Sequence, residues 1–542
     1  MTAMSPAPRR LTDTEVLVIG SGAAGLRTAL DLAAAGVDVT VVSRAGLADS
    51  ATDWAQGGLA AVHLPDDSCL SHVNDTLAAG AGLCDPVAVT RLVEEAPGAI
   101  DRLVEEGAVF DRGPDDEPDL HLEGGHHARR IWHAEGDRSG HEVERVLCTA
   151  ARARAGARPH LLTGTRAVDL LQDARGQVCG ARLRTPHGTV PVTARAVVLA
   201  TGGIGRLWST TTNPPTATGD GLVLGMAAGA AARDLEFMQF HPTVLAPPDG
   251  RRLHDGRQVL VSEAVRGEGA VIVDADGHRV MAGVHPLEDL APRDVVSAAE
   301  HAHMVRTGAD RVYLDATAFG ARTWETEFPS ILEMCRELGV DPVTEPIPVL
   351  PGAHYHCGGL AADMDGRTGV PGLLAVGEVA CTGVQGANRL ASNSITEGLV
   401  AGARAARLLA VELPPAVRPA ETEPRALAAA DLDEVTAIMS RDVGLLRDGE
   451  GLARAHDLLT GPAVGTASTT DTDLPDSVLD AAHARLVGTA VALAAAARPE
   501  SRGCHRRSDA PETLPSLTRH IDVVLADGAP TILAPAGKAK AA

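Results

Sequence analysis

Apolar positions near the N-terminus alternate between two patterns, and together they predict a doubly wound α/β unit. Val16-Leu17-Val18-Ile19 is a short run of branched side chains, the pattern of a parallel strand buried on both faces. Leu26, Leu30 and Ala33 then recur at helical spacing, Gly36 stops that helix, and Val37 to Val42 reads as a second strand. Between strand and helix stands Gly20-Ser21-Gly22-Ala23-Ala24-Gly25. Gly20 suits the sharp turn, Gly22 lets backbone approach a ligand closely, and Gly25 lets the helix pack on the strand. A helix N-terminus reached in this way offers free N–H groups and a positive dipole end, so the segment predicts dinucleotide phosphate binding.

The same patterning divides the rest of the chain. Residues 85–107 read as an amphipathic helix, and 160–194 as a β-meander turning at Gly176 and Gly188. Ala196 to Leu199 is another buried strand, running on into Gly202-Gly203, and Asp220 opens an Ala/Gly-rich helix. From residue 234 to 350 short mixed elements replace this pattern, which predicts a capping domain inserted into the first. The first resumes at 351, and Leu373 to Val376 is its last buried strand, with Gly377-Glu378 at the carboxyl end where open α/β sheets bind ligands. Pro414, Pro415, Pro419 and Pro424 mark a linker. Beyond it Leu432, Val435, Ile438 and Met439 form one helical stripe and Leu486 to Ala497 another. The predicted architecture is a Rossmann-like domain in two parts (1–233 and 351–411), an α+β capping domain (234–350), a linker (412–424), a C-terminal helical domain (425–510) and a partly ordered Ala/Pro-rich tail (511–542).

Composition narrows the function. A length of 542 residues implies several domains, while a net charge of −23 with 2% aromatic residues argues against nucleic-acid binding. Eight cysteines without ligand spacing indicate neither a zinc site nor a disulfide framework, so reduced thiols in a cytoplasmic protein and no metal are expected. No uncharged apolar run approaches the roughly 18 to 20 residues of a membrane span. Arg9-Arg10 ahead of the first strand could mimic an export signal, but cleavage there would remove a strand of the fold.

Several segments carry candidate chemistry. Ser43-Arg44 follows the second strand where a simple NAD-binding fold expects an acid, which disfavours NAD. Ser50 to Gly58 combines hydroxyls, an amide and paired glycines suited to wrapping a phosphate or a flat heterocycle. Glu123-Gly124-Gly125-His126-His127-Ala128-Arg129-Arg130 gathers an acid, two His and two Arg, either as a site wall or as a solvated loop. Adjacent His residues point in different directions, which speaks against a metal. Asn388 to Ser394 leads into a helix whose N–H groups can face an electron-rich ring and stabilise negative charge on it.

Taken together, GSGAAGL (20–26), AQGG (55–58), EGGHHARR (123–130), QFHPT (239–243), RGEGA (266–270), APRD (291–294), HYHCGG (354–359) and GEVACTGVQGANRLASNS (377–394) resemble the flavoprotein family of succinate dehydrogenase and fumarate reductase. The resemblance extends to about residue 510. It implies FAD as cofactor, bound by Gly20, Ser21, Gly22, Ala23, Ala24, Gly25, Arg44, Ala51, Thr52, Asp53, Trp54, Ala55, Gln56, Gly57, Gly58, Asp220, Glu378, Ser394 and Ile395. Respiratory members carry a flavin-linked His at the place of Ala51, so FAD here is expected to be noncovalent. Glu123 stands where the branch that oxidises L-aspartate carries the acid associated with the substrate amine.

By the same resemblance His241, His354 and Arg389 clamp the substrate carboxylates, Ser262 replaces a Thr with its hydroxyl retained, and Arg293 matches the residue that transfers protons when the family reduces fumarate. The implied reaction is hydride transfer from L-aspartate to the flavin, giving iminoaspartate, with electrons passed to O2 or fumarate. It is the first step toward quinolinate and NAD, with quinolinate synthase a possible partner and neither nucleic acid nor membrane involved. Ala51 and Glu123 argue against a soluble fumarate reductase or a succinate dehydrogenase flavoprotein. The Arg/His constellation argues against a non-catalytic FAD module.

Overall fold

A computed structural model describes residues 13–534, except 154–158, 248, 254–256, 422–424, 463–465 and 469–474. Arg9-Arg10, part of the predicted linker and residues 535–542 of the predicted tail therefore lie outside the described residues. Five parallel strands form the central sheet in the order Leu373–Ala375, Ala196–Leu199, Val16–Ile19, Val39–Val42, His160–Leu162. The two strands beside Val16–Ile19 are far apart in sequence, and each strand is nearly all β-branched or Leu because both faces are covered. Helices Ala23–Ala34 and Asn393–Val411 cross on one face. They meet at Gly402, where a Cβ would lie 2.6 Å from the carbonyl oxygen of Ala24.

His160–Leu162 belongs to this central sheet, so the meander begins only at Arg166 and comprises Arg166–Gln172, Val178–Thr185 and Gly188–Thr193. The predicted helix at 85–107 spans Pro86–Glu105. Its N-cap Asp85 accepts from the N–H groups of Val87 and Ala88, and Pro86 sits where its missing N–H costs nothing.

A four-stranded antiparallel sheet, in the order Met238–Leu245, Ile347–His356, Val312–Asp315, Val271–Val273, has its own apolar core around Trp324 and Phe328. The boundary expected at 350 falls inside Ile347–His356, so one continuous strand leads from this sheet back toward the central one. Helices Leu432–Asp442, Gly449–Thr460 and Asp476–Ala496 pack together, but they share one core with the central sheet and the meander, Val487 and Met439 lying in the same cluster as Leu17 and Val197. The helix Asp476–Ala496 is long and apolar enough to cross a membrane, yet 78% of its most apolar window is buried inside the protein. The tail contains more structure than its composition suggests. Asp522–Ala526 and Ala529–Ile532 form a hairpin that adds to Ala232–Arg233 and extends a second sheet.

Candidate active site

At the carboxyl ends of the parallel strands the glycine turn opens a long cleft. Gly20 has φ +119°, and a Cβ there would sit 2.0 Å from the carbonyl oxygen of Ala200. Gly25 serves packing, since its Cβ would meet the Gly20 carbonyl at 2.2 Å. The helix at Ala23 has no acid in its first turn and no cap from Gly22; the Ala23 N–H donates to Thr52 Oγ1 at 3.1 Å, and the positive end of the dipole faces the cleft. Gly20 to Ala24, Arg44, Ala51, Thr52, Trp54, Ala55, Asp220, Glu378, Ser394 and Ile395 all line it. Gly203 lies against Glu378, where a Cβ would come within 2.2 Å of the carboxylate, and burial pushes the Glu378 carboxyl up to about 7. A cradle without Cβ atoms, an open helix N-terminus and a carboxyl farther along fit the pyrophosphate and ribose of a dinucleotide. Gly20→Ala is expected to destabilise the fold by about 3 kcal/mol or more. Denaturant unfolding and flavin absorbance per protein would show this as lost stability together with lost cofactor.

Other predicted cofactor residues lie elsewhere. Asp53 turns outward, its Oδ1 lying 2.8 Å from His141 Nδ1. Gly58 packs under the carbonyl of Trp132, Gln56 is buried, and Gly57 faces Glu123 and Ser392. Asp220 reaches the cleft, but Arg166, His483 and Thr218 already occupy its Oδ1, at 2.8, 2.8 and 3.0 Å. It and Asp480, which accepts from Arg44 at 2.5 Å, hold Arg44 in the cleft wall.

One end of the cleft closes on a polar pocket assembled from segments far apart in the chain. Arg389 is 7% exposed. It donates to His354 Nε2 at 3.0 Å and to Ser394 Oγ at 2.5 Å, and its guanidinium stacks 4.5 Å above the Tyr355 ring. Because His354 Nε2 accepts, its Nδ1 carries the proton and donates to Thr212 Oγ1 at 2.8 Å. His241, 5.2 Å away between ring centroids, accepts at Nδ1 from the Thr243 N–H, so its Nε2–H is left buried and unpartnered. Burial and the neighbouring cations hold both imidazoles well below their usual pKa. Both are neutral donors and props, and the positive charge around them comes from Arg389, Arg293 and Arg266. Burial and Arg293 lower Arg389 to about 10, leaving it charged at neutral pH.

Arg293 begins the helix Arg293–Thr307 and donates from Nε to Glu263 at 2.5 Å. Glu263 also pairs with Arg266 at 2.9 Å. Burial opposes its charge, yet the two guanidiniums hold its carboxyl below the usual range. Ser262 caps the short helix Glu263–Gly267, its Oγ accepting from Ala264 N–H. Glu123 is 3% exposed; Oε2 accepts from Ser392 Oγ at 2.6 Å, and Oε1 is buried without a partner. Burial raises its pKa, opposed by Arg293 and Arg389.

The rest of the 123–130 segment is structural. Arg130 is fully buried against Asp67 and Asp75, His127 binds Asp75, and Arg129 is exposed. Glu263, Gln239 and Ser392 were not singled out from sequence. A signal for Glu263 exists: Gly124 must lack a side chain because a Cβ there would fall 2.2 Å from the Glu263 carboxylate.

Fold and pocket together define an FAD-dependent oxidoreductase of the flavoprotein class that includes fumarate reductase. Residues 15–395 match the FAD binding domain family and 432–523 the fumarate reductase flavoprotein C-terminal family. The structure is similar to that of E. coli quinol fumarate reductase FrdA, with TM-score 0.86, 30% identity and 96% of each chain covered. The sequence is 47% identical to the L-aspartate oxidase of Streptomyces coelicolor, covering 93% of this chain and 90% of that one. It is also 47% identical to the L-aspartate oxidase of Mycobacterium tuberculosis, covering 95% and 96%. The chain belongs to the L-aspartate oxidase family.

Proposed function

We propose that the chain oxidises L-aspartate to iminoaspartate, with O2 reduced to hydrogen peroxide or fumarate to succinate. Noncovalent FAD supplies the hydride-accepting ring when bound; Ala51, which lines the cleft, offers no nucleophile to tether it. Arg389 and Arg293 hold the two substrate carboxylates, and the free Nε2–H of His241 donates to one of them. Thr212, His354 and Tyr355 fix the Arg389 fork, which orients Cα–H toward the cleft. Glu123 Oε1 pairs with the substrate nitrogen. Its raised pKa makes it a better proton acceptor than an exposed carboxylate, so the ammonium proton can pass to it as the amine becomes an imine. Iminoaspartate is unstable in water, which favours rapid consumption by quinolinate synthase in a first step toward NAD.

The observation that carries this reading is Glu123 Oε1, a buried carboxylate oxygen with no partner beside two cations. With both His neutral, Arg293, Arg389, Arg266 and Glu263 give the pocket two net positive charges when Glu123 is protonated and one when it is ionised. A dianion without an amine, such as fumarate, therefore prefers protonated Glu123, whereas aspartate prefers the ionised form. As pH falls through the raised Glu123 pKa, the KM for aspartate should rise by up to about tenfold per unit while fumarate binds more tightly. Glu123→Gln should flatten both profiles and weaken aspartate selectively. Anaerobic mixing tests the reaction itself: aspartate should bleach the flavin, and bleaching by succinate alone, or by neither, would favour the rival readings.

A further inference from the structure

We propose that Ser392 is the positioning residue that sets the preference for an amino acid over a plain diacid: its hydroxyl holds one oxygen of Glu123 and keeps the other aimed at the substrate nitrogen. The inference rests on the reading of Glu123 as the amine-binding group.

Ser392 is a buried non-glycine residue with φ +60° and ψ +5°, a left-handed conformation that L side chains rarely adopt. From this conformation its Oγ donates to Glu123 Oε2 at 2.6 Å. The turn is pinned on both sides. The carbonyl of Ala391 accepts from His126 Nε2 at 2.9 Å, and the carbonyl of Ser392 accepts from Ala60 N–H at 3.0 Å. The Asn393 amide bridges His72 Nε2 at 2.8 Å and Thr76 Oγ1 at 3.1 Å. His126 is itself held by Arg130, which donates to its Nδ1 at 3.1 Å while paired with Asp67 and Asp75. The segment that carries Glu123 thus also anchors the turn that carries Ser392, and the spacing of the pair is set before substrate arrives.

The reason for such an anchor lies in what surrounds Glu123. Arg293 faces it from the helix Arg293–Thr307, Glu263 from the helix Glu263–Gly267, and Arg389 from the turn preceding Asn393. A carboxylate free to rotate would swing onto one of the guanidiniums, and its charge would then be spent on a protein cation. Ser392 occupies Oε2 with a neutral donor instead. At Gly57 a Cβ would still lie 3.6 Å from both Glu123 Oε1 and Ser392 Oγ, so the absence of a side chain leaves room beside the pair.

The test uses flavin-loaded enzyme carrying Ser392→Ala, Ser392→Gly or Glu123→Gln. Loss of the hydroxyl should raise the KM for aspartate about tenfold. The acid limb of kcat/KM should move up by about one pH unit, since a group favouring the ionised form is gone. Fumarate binding, followed through the flavin spectrum, should hold or tighten, because the protonated Glu123 that a plain dianion prefers becomes more populated. The glycine variant matters because it relieves the backbone conformation while removing the hydroxyl. Wild-type behaviour of Ser392→Gly, or equal losses for aspartate and fumarate, would overturn the role of Ser392. If Glu123→Gln erases the aspartate preference and the Ser392 variants keep it, only the present inference falls. If Glu123→Gln keeps the preference too, the amine-binding reading falls with it.

Discussion

Replacing Arg389 with leucine should lower kcat/KM for L-aspartate about a thousandfold, equivalent to about 4 kcal/mol. The guanidinium is buried, remains charged at neutral pH, and is fixed on three sides by His354, Ser394 and the Tyr355 ring. Removing it leaves a substrate carboxylate desolvated without a cation, and leaves His354 Nε2 without its donor. Lysine keeps the charge but not the planar fork, so Arg389→Lys should lie between the two. Ser394 lines the cofactor cleft, so rates must be normalised to bound flavin. A loss under tenfold at equal flavin occupancy would mean that Arg389 does not hold a carboxylate.

Glu263→Gln should be nearly as damaging, through stability as well as turnover. Glu263 is the shared anion between Arg293 and Arg266, all three buried, and neutralising it strands two cations at a cost of about 3 kcal/mol or more. The sign with pH follows from its depressed pKa. The carboxylate contributes stability that is fully present above the unfolded pKa and is lost as pH falls through the folded one. Urea unfolding should therefore separate wild type from Glu263→Gln at neutral pH, with the gap shrinking once the pH drops below the ordinary carboxylate range. Turnover should fall about a hundredfold, because Arg293 loses the group that aims it. A variant as stable as wild type at neutral pH would show that Arg266 and Arg293 find other anions.

Adjacent sequence carried most of the cofactor cleft. A strand, a glycine turn and a helix within twenty residues are local, and their geometry follows from sterics: only glycine fits against the carbonyl of Ala200 at Gly20, and a Cβ at Gly203 would collide with the Glu378 carboxylate. At Asp53, by contrast, the motif position points to the cofactor while the side chain lies against His141.

What the sequence determined by itself was the kind of protein: a glycine turn for a dinucleotide and, through its resemblance to a flavoprotein family, the expectation of a diacid site at Arg293, Arg389, His241 and His354 with Glu123 for an amine. Only the tertiary structure decided the protonation and pairing of those groups. His241 and His354 lose their charge because burial and nearby guanidiniums make it too costly, Glu263 keeps its charge because it is shared by two arginines, and Glu123 presents one free oxygen because Ser392 holds the other. These states depend on which groups from positions 123, 241, 263, 293, 354, 389 and 392 lie within a few ångströms of one another. Distances of that kind are set by packing between segments far apart in the chain, and no local pattern encodes them.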